Sequence, residues 1–123
     1  MSRVYAVSED FIDWINYSAK SAYPDEFICF HGDCDGVIRE MILVSSTYGR
    51  GISTIDDWMT PSGMQKTGTV HSHPEYSNEP SDMDLDFFRH YGGIHIITCR
   101  PYDRTSWKAY DSSGRVVDLK VVP

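Results

Sequence analysis

The segment HSHPEYSNEPSDMD, residues 71–84, constrains this chain most, because it places several metal-ligating side chains at fixed spacing. His71 and His73 end a predicted strand, and alternate residues of a strand point to one face, so both imidazoles can reach one ion. Pro74 ends the strand, a loop follows, and Ser81 begins a predicted helix that carries Asp84 one turn later on the same side. Two histidines, one carboxylate and a water are the ligands of a catalytic zinc site. The alternative without metal is a capping box, which S-x-x-D also resembles.

Composition and charge narrow the classes of function. A length of 123 residues with 41% apolar residues suits one domain with a real core, which we expect to span residues 1–123. The net charge of −7 and the scattered basic residues argue against a nucleic-acid partner. The apolar runs are too short to span a bilayer, which argues against a membrane partner, and the N-terminal residues do not resemble a secretory signal. Three cysteines, an odd and low count, suit a cytoplasmic location.

Hydrophobic periodicity predicts a mixed α/β chain. A first helix begins after the N-cap Ser8 and stops before Pro24. A second begins at Ser81 and stops at Gly92. A loop of about five residues, 32–36, is expected between the first two strands. The predicted strands are residues 27–30, 37–45, 52–55, 66–73, 94–98, 106–110 and 116–121.

Other reactive groups offer weaker hypotheses. Cys29, His31 and Cys34 form a cluster that resembles part of a zinc knuckle, but no second Cys/His pair completes four ligands. A cysteine hydrolase built on Cys29 or Cys99 lacks any neighbouring motif. The H-E-x-x-H pattern of zincins and the P-C-x-x-C pattern of nucleobase deaminases do not occur in the chain.

The spacing from His71 to Asp84 resembles the H-[ST]-H-x7-S-x2-D signature of the JAMM (MPN+) metalloproteases at every specified position. The stretches SAYPDEFI and GMQKTGTVHSHP look like those of the compact, single-domain archaeal members. The family also has a glutamate at the junction of its first helix and strand, where this chain has Glu26. From the residues alone, Glu26 is not distinguished from Glu40, Glu75 or Glu79.

The chain departs from the family pattern after Glu26. Many members have glycine three and seven residues after this glutamate, whereas Cys29 and Asp33 stand at those places here. The loop after the first strand is therefore expected to differ in shape, without effect on the expected metal ligands.

The resemblance implies a single MPN/JAMM domain with a curved mixed β-sheet flanked by helices, similar to the cytidine deaminase architecture. It implies one Zn²⁺ per chain, held by His71, His73 and Asp84. Glu26 would be the general base, and Ser81 would donate a hydrogen bond to the oxyanion.

The implied reaction is hydrolysis of the amide or isopeptide bond that follows the Gly-Gly tail of ubiquitin or a ubiquitin-like modifier. The expected partners are such a modifier or its conjugates, and a homodimer is left open. Two alternatives are a zinc peptidase that processes a sulfur-carrier protein or small peptide, and a non-catalytic MPN scaffold. The expected tail-binding residues are Asp56, Asp57, Trp58, Met59, Thr60, Pro61, Ser62 and Gly63.

Overall fold

A mixed sheet of eight strands, with two helices, makes up the part of the chain that the computed structural model describes, residues 4–43 and 66–123. Neither helix in these ranges is long and apolar enough to cross a membrane. The elements are β1 (Ala6–Ser8), α1 (Glu9–Ala22), β2 (Ile28–Cys34), β3 (Val37–Ile42), β4 (Gly68–His73), α2 (Asp82–Tyr91), β5 (Ile94–Cys99), β6 (Trp107–Tyr110), β7 (Val116–Val117) and β8 (Lys120–Val122).

Strand β4 lies in the middle of the sheet, whose order is β7-β6-β5-β4-β2-β3-β1-β8. It runs parallel to β5 and antiparallel to β2. Further parallel pairs join β1 to β3 and β1 to β8, so the sheet is mixed, as the sequence predicts. All but the last residue of β4 are buried. The end of β4 is therefore where a side chain can leave the core and meet other elements.

Helix α1 covers one face of the sheet. Its Phe11, Ile12 and Ile15 belong to the main core cluster together with Val70 of β4 and Ile96 of β5. The N-cap is Ser8, whose side chain accepts a hydrogen bond from the Phe11 amide at 3.1 Å, and two acids occupy the first turn. The predicted helix and its cap are thus confirmed.

Helix α2 covers the opposite face. Phe88 of α2 clusters with Ile97 of β5 and Tyr110 of β6, and Phe87 packs against Ile28 and its neighbours on β2. Alternation along β4 turns Val70 towards α1 and His71 towards α2. The first turn of α2 is therefore on the same side of the sheet as the two histidines.

The predicted five-residue loop between the first two strands is wrong. Strand β2 continues to Cys34, and only Asp35 and Gly36 separate it from β3. Both residues have positive φ, 52° and 88°, as the favoured two-residue hairpin turns with Asp-Gly require. The Gly36 amide donates to the Asp33 carboxylate at 2.8 Å, which stabilises the turn. A register shift between Gly32 and Asp33 absorbs the extra residue.

The single strand predicted over residues 116–121 is also wrong. Strand β7 pairs with β6 at one edge of the sheet, and β8 pairs in parallel with β1 at the other. The chain crosses between the edges at residues 118–119, and the buried Leu119 joins the core there. The short strand β1 was not predicted at all. The predicted strand 52–55 and the end of the predicted strand 37–45 lie outside the described residues.

Glycine is required at position 68, where β4 begins beside β5. A Cβ atom on Gly68 would lie 1.6 Å from the carbonyl oxygen of Ile94, a backbone atom that cannot move unless the strands separate. Gly92, at the end of α2, has open space around it but a positive φ of 65°.

We expect Gly68→Ala to lower the free energy of unfolding more than Gly92→Ala. Backbone strain at Gly92 costs about 1–3 kcal/mol, whereas the alanine at position 68 adds a collision with the β5 backbone. Urea denaturation of both variants, with a chelator present, measures the difference. Equal losses would contradict the close approach of the two strands at this point.

Candidate metal centre and active site

Strand β4 places His71 and His73 side by side. His71 is aligned with Ile28 of β2 and Ile97 of β5, while His73 is the last residue of the strand. The ring centroids of the two histidines lie 5.4 Å apart. His71 is buried and His73 is partly exposed. The prediction that both imidazoles lie on one face of the strand is confirmed.

The first turn of α2 brings Asp84 to the two histidines. Its Oδ1 lies 2.9 Å from His71 Nε2, and its Oδ2 lies 3.0 Å from His73 Nε2. Ser81 caps the helix, because its hydroxyl accepts from the Asp84 amide and its own amide donates to Asp84 Oδ2 at 2.8 Å. The segment is therefore a capping box and a candidate ligand at once. The two interpretations of the sequence are compatible.

The orientation of His73 favours a cation between its ring and Asp84. Its Nδ1 lies 2.9 Å from the carbonyl oxygen of Ser77, to which only an N–H can donate. In a neutral ring this leaves a lone pair on Nε2, pointing at a carboxylate oxygen. Two acceptors at 3.0 Å repel each other unless the ring is protonated or a metal ion binds both.

The surroundings of His71 also favour a bound cation. Its Nε2 is buried and, despite the short distance to Asp84, forms no hydrogen bond within the described part of the chain. The candidate ligand atoms of His71, His73 and Asp84 lie within 4.8 Å of one another, and no other such group occurs in residues 4–43 and 66–123. Two imidazoles and one carboxylate fit one zinc ion and leave a position for water.

Electrostatics keep Asp84 ionised. Burial alone would raise the pKa of this carboxyl, but the adjacent imidazoles of His71 and His73 and the Ser81 amide hold it well below its ordinary range. Burial also opposes the charge on His73, yet Asp84 and the Ser77 carbonyl raise the pKa of this ring. The cluster thus presents a carboxylate to any bound cation at neutral pH.

Glu26 lies beside the cluster because of pairing between the chain before β2 and the end of β4. The Phe27 amide donates to Ser72 Oγ at 2.8 Å, and the Ser72 amide donates to the Phe27 carbonyl at 2.9 Å. Burial raises the pKa of the Glu26 carboxyl, and His71 and His73 partly offset the rise. This is the environment of a carboxylate that can accept a proton near neutral pH.

The structure separates Glu26 from the other glutamates that the sequence left open. Glu40 is an exposed residue of β3. Glu79 is exposed and forms an ion pair with Lys108 at 3.3 Å. Glu75 is exposed on the loop after His73 and acts on Glu26 only as a neighbouring charge.

Sequence reasoning missed three residues that support the cluster. Ser72 aligns Glu26, Ser77 orients His73, and Tyr102 donates from Oη to the His73 carbonyl at 3.0 Å. Of these three residues, only Ser72 could have been found from the sequence, since it fills the Ser/Thr position between the two histidines of the motif. The contacts of Ser77 and Tyr102 depend on how the loops fold. The expected tail-binding residues 56–63 lie outside the described residues.

The Cys29, His31 and Cys34 cluster is not a metal site. Cys29 is buried in the core, and burial raises the pKa of its thiol far above the ordinary value. Both ring nitrogens of His31 have partners at 2.8 Å, the Thr67 hydroxyl and the Ile94 carbonyl. Cys34 is exposed beside the hairpin turn. The weaker zinc-knuckle hypothesis is therefore wrong.

Comparison with known proteins agrees with this geometry. Residues 8–110 match the family of prokaryotic homologs of the JAB domain. This chain belongs to that family. A probable metalloprotease of Haloferax volcanii is 32% identical over 97% of this chain and 80% of its own length.

Two solved structures are similar over almost their whole length. A JAB1/MPN domain protein from Archaeoglobus fulgidus is 40% identical, with a TM-score of 0.81, over 96% of this chain and 99% of that one. A structure presented as JAMM, a metalloprotease-like zinc site in the proteasome and signalosome, is 38% identical, with a TM-score of 0.79, over 98% and 99%. The implied fold, a curved mixed sheet with two helices in a JAB1/MPN domain, is confirmed.

The buried His31 should make stability depend on pH. Burial lowers its pKa from 6.5 to about 4, so between these values the unfolded chain binds a proton that the folded chain does not. Stability is therefore complete above pH 6.5 and falls as the pH drops towards 4. The loss amounts to about 3 kcal/mol, at about 1.4 kcal/mol for each pKa unit.

We expect His31→Gln to reduce this dependence, since an amide can still donate to the Ile94 carbonyl but does not titrate. The buried His95, whose pKa is also lowered by burial, keeps the remainder. Denaturant unfolding of the metal-free protein at pH 7 and pH 4 measures the slope. His90→Gln, at an exposed position, is the matched control and should leave it unchanged. If the wild type, His31→Gln and His90→Gln all lose the same stability between pH 7 and pH 4, the pH dependence does not come from His31.

The purified protein should hold about one zinc ion per chain. His73→Ala should abolish tight binding, because two protein ligands rarely retain zinc, whereas His31→Gln should retain it. Elemental analysis after dialysis gives the stoichiometry, and zinc should raise the melting temperature of the wild type but not of His73→Ala. Stoichiometric zinc in His71→Ala/His73→Ala would place the site elsewhere.

Proposed function

We propose that this protein is a zinc-dependent isopeptidase that hydrolyses the amide bond after the Gly-Gly tail of a ubiquitin-like modifier. The observation that carries the proposal is the convergence of His71, His73 and Asp84 within 4.8 Å, with the half-buried Glu26 beside them. The name of the Haloferax relative and the zinc site of the solved JAMM structure support the hydrolase class.

In this reaction zinc would activate the water, and the protein would hold the metal ligands in position. Zinc bound at His71, His73 and Asp84 would act as a Lewis acid and lower the pKa of a bound water towards ~7. Ser77 and the Ser81 amide hold His73 and Asp84 in place, so the ligand positions are fixed before substrate arrives.

Glu26 is proposed to be the general base. It would accept the proton of the attacking water and return it to the departing amine. Its raised pKa suits this exchange, because a carboxylate with an ordinary pKa is a weak base and takes up a proton less readily at neutral pH. Ser72 fixes the backbone beside Glu26, which keeps the carboxylate next to the ligands.

Ser81 is proposed to stabilise the oxyanion. Its hydroxyl oxygen accepts from the Asp84 amide at 3.1 Å, which leaves the hydroxyl hydrogen able to donate outwards. The side chain is exposed at the start of α2, next to the ligand cluster, where a substrate carbonyl can reach it. Such a donor typically contributes ~10²–10³ in rate.

The proposed substrate follows from the need for close approach. Only glycine lets a polypeptide backbone lie against a metal site without collisions of Cβ atoms, so a Gly-Gly terminus is the expected sequence before the scissile bond. Strand addition along residues 56–63 would hold this tail. That part of the proposal rests on the sequence resemblance.

Glu26→Gln should retain zinc and lose most turnover, because the amide cannot accept a proton. We expect kcat to fall ~10²–10⁴-fold while the zinc content stays near one per chain. Glu79→Gln, which breaks only an exposed ion pair, is the control and should keep wild-type kcat. A Glu26→Gln variant with wild-type turnover would mean that another group is the base, with Glu75 the next to test.

Isopeptide conjugates of a ubiquitin-like protein should be cleaved faster than generic peptides, because binding of the modifier's folded body can orient the scissile bond. We expect kcat/KM to fall when the penultimate glycine of the tail is replaced by alanine. The comparison uses isopeptide conjugates, linear fusions and unrelated peptides with the zinc-loaded protein. Equal rates on all three would leave a general zinc peptidase in place of a deconjugating enzyme.

A further inference from the structure

An arginine in contact with two tyrosines directly follows the strand residue that pairs with His73. The guanidinium carbon of Arg100 lies 4.7 Å from the ring centroid of Tyr23 and 4.6 Å from that of Tyr76. The guanidinium thus lies over the rings of both tyrosines. Both rings are exposed, at 43% and 68%, and the stack is therefore accessible from solvent.

The stack is tied to the segments that carry the proposed catalytic groups. Arg100 directly follows β5, whose last residue pairs with His73, and its amide donates to the Glu75 carbonyl at 2.9 Å. Tyr76 lies three residues after His73, and Tyr23 lies three residues before Glu26. A polypeptide that places its scissile bond at the metal cluster must pass close to these segments.

The guanidinium of Arg100 contacts two aromatic rings, but its N–H donors are left without a partner in the described part of the chain. Within residues 4–43 and 66–123 it forms no ion pair and no hydrogen bond from its side chain, unlike Arg104, which binds Asp13 with two nitrogens. The planar edge of an arginine is the geometry that binds a carboxylate with two hydrogen bonds. Contact with two aromatic rings restricts this side chain in advance, which lowers the entropic cost of binding.

Charge around the stack favours an anion. The depression that it borders has a volume of about 300 Å³ and is lined by Lys20, Tyr23, Tyr76, Arg100, Pro101 and Tyr102. It thus contains two cations and no acid, in a chain whose net charge is −7. Two acids outside the lining compete with a bound anion: Glu75, whose charge acts on Tyr102, and Asp103, on which the charge of Lys20 acts.

We propose that the Tyr23–Arg100–Tyr76 stack is a receptor for a carboxylate side chain of the substrate, close in sequence to the scissile bond. The proposal rests on the proposed function in that it takes the bound polypeptide as the substrate. It adds a specificity determinant: conjugates with an acidic residue next to the attachment site are preferred over neutral ones.

The substrates of the kinetic test are peptides in which a Gly-Gly tail is joined to a lysine side chain. Each carries glutamate or glutamine at one position, either beside the lysine or before the two glycines. The wild type should prefer the best glutamate peptide about 10-fold in kcat/KM over its glutamine counterpart. Arg100→Gln should remove this preference and keep the rate on the glutamine peptide. Arg100→Lys should keep part of it, because the charge remains but the planar fork is lost. Arg115→Gln, at an exposed position beyond β6, is the control.

A purely structural role for the stack predicts a different pattern. If Arg100 only fixes the loop after His73, Arg100→Gln will lower kcat/KM equally on both peptides and leave the ratio intact, which would overturn the receptor. Glu75→Gln, with Arg100 retained, removes one competing acid and should increase the preference for the glutamate peptide above that of the wild type.

A binding measurement separates this inference from the proposed function. Fluorescence anisotropy of the same labelled peptides, with a chelator present to prevent turnover, should show tighter binding of the glutamate peptide to the wild type but not to Arg100→Gln. If no peptide is hydrolysed yet this discrimination persists, the isopeptidase activity fails and the receptor stands. If the wild type binds both peptides equally, the receptor is refuted, whatever the activity.

Discussion

The contact between Asp84 and the two histidines is the interaction on which the rest of this site depends. One carboxylate lies 2.9 Å from His71 and 3.0 Å from His73, and it also accepts the amide hydrogen of Ser81. The first turn of a helix is thereby tied to the last residues of a central strand. The packing of Phe88 against the sheet holds that helix in position, so the core itself sets the spacing of the ligands.

The same contact explains why the candidate centre is suited to a cation. A buried carboxylate close to two imidazoles is costly unless charge is balanced, and the Ser77 carbonyl fixes the tautomer of His73 so that its lone pair faces Asp84. A divalent ion satisfies all three groups at once. Glu26 lies at the edge of this arrangement, partly desolvated, with a raised pKa that sets it apart from the exposed Glu40, Glu75 and Glu79.

Much of this could be predicted from the sequence, because the strongest signals are local. Alternation in β4, the Ser81 cap and the spacing to Asp84 determine which side chains meet, and each involves residues close in the chain. Glu26 required the family resemblance, since its place beside His73 depends on pairing between segments 45 residues apart. The errors have similar origins. Strands β7 and β8 lie at opposite edges of the sheet, and β2 continues past a bulge in its pairing with β3 to a two-residue turn. Neither feature leaves a periodic signal in the sequence.

We expect one zinc ion to be held by two imidazoles and one carboxylate at the junction of β4 and α2. Crystals of the zinc-loaded protein, measured on both sides of the zinc absorption edge, test it most directly. We expect one anomalous peak per chain, about 2.0–2.2 Å from His71 Nε2, His73 Nε2 and an Asp84 carboxylate oxygen. A peak beside Cys29 or Cys34, or no peak among these three side chains, would contradict it.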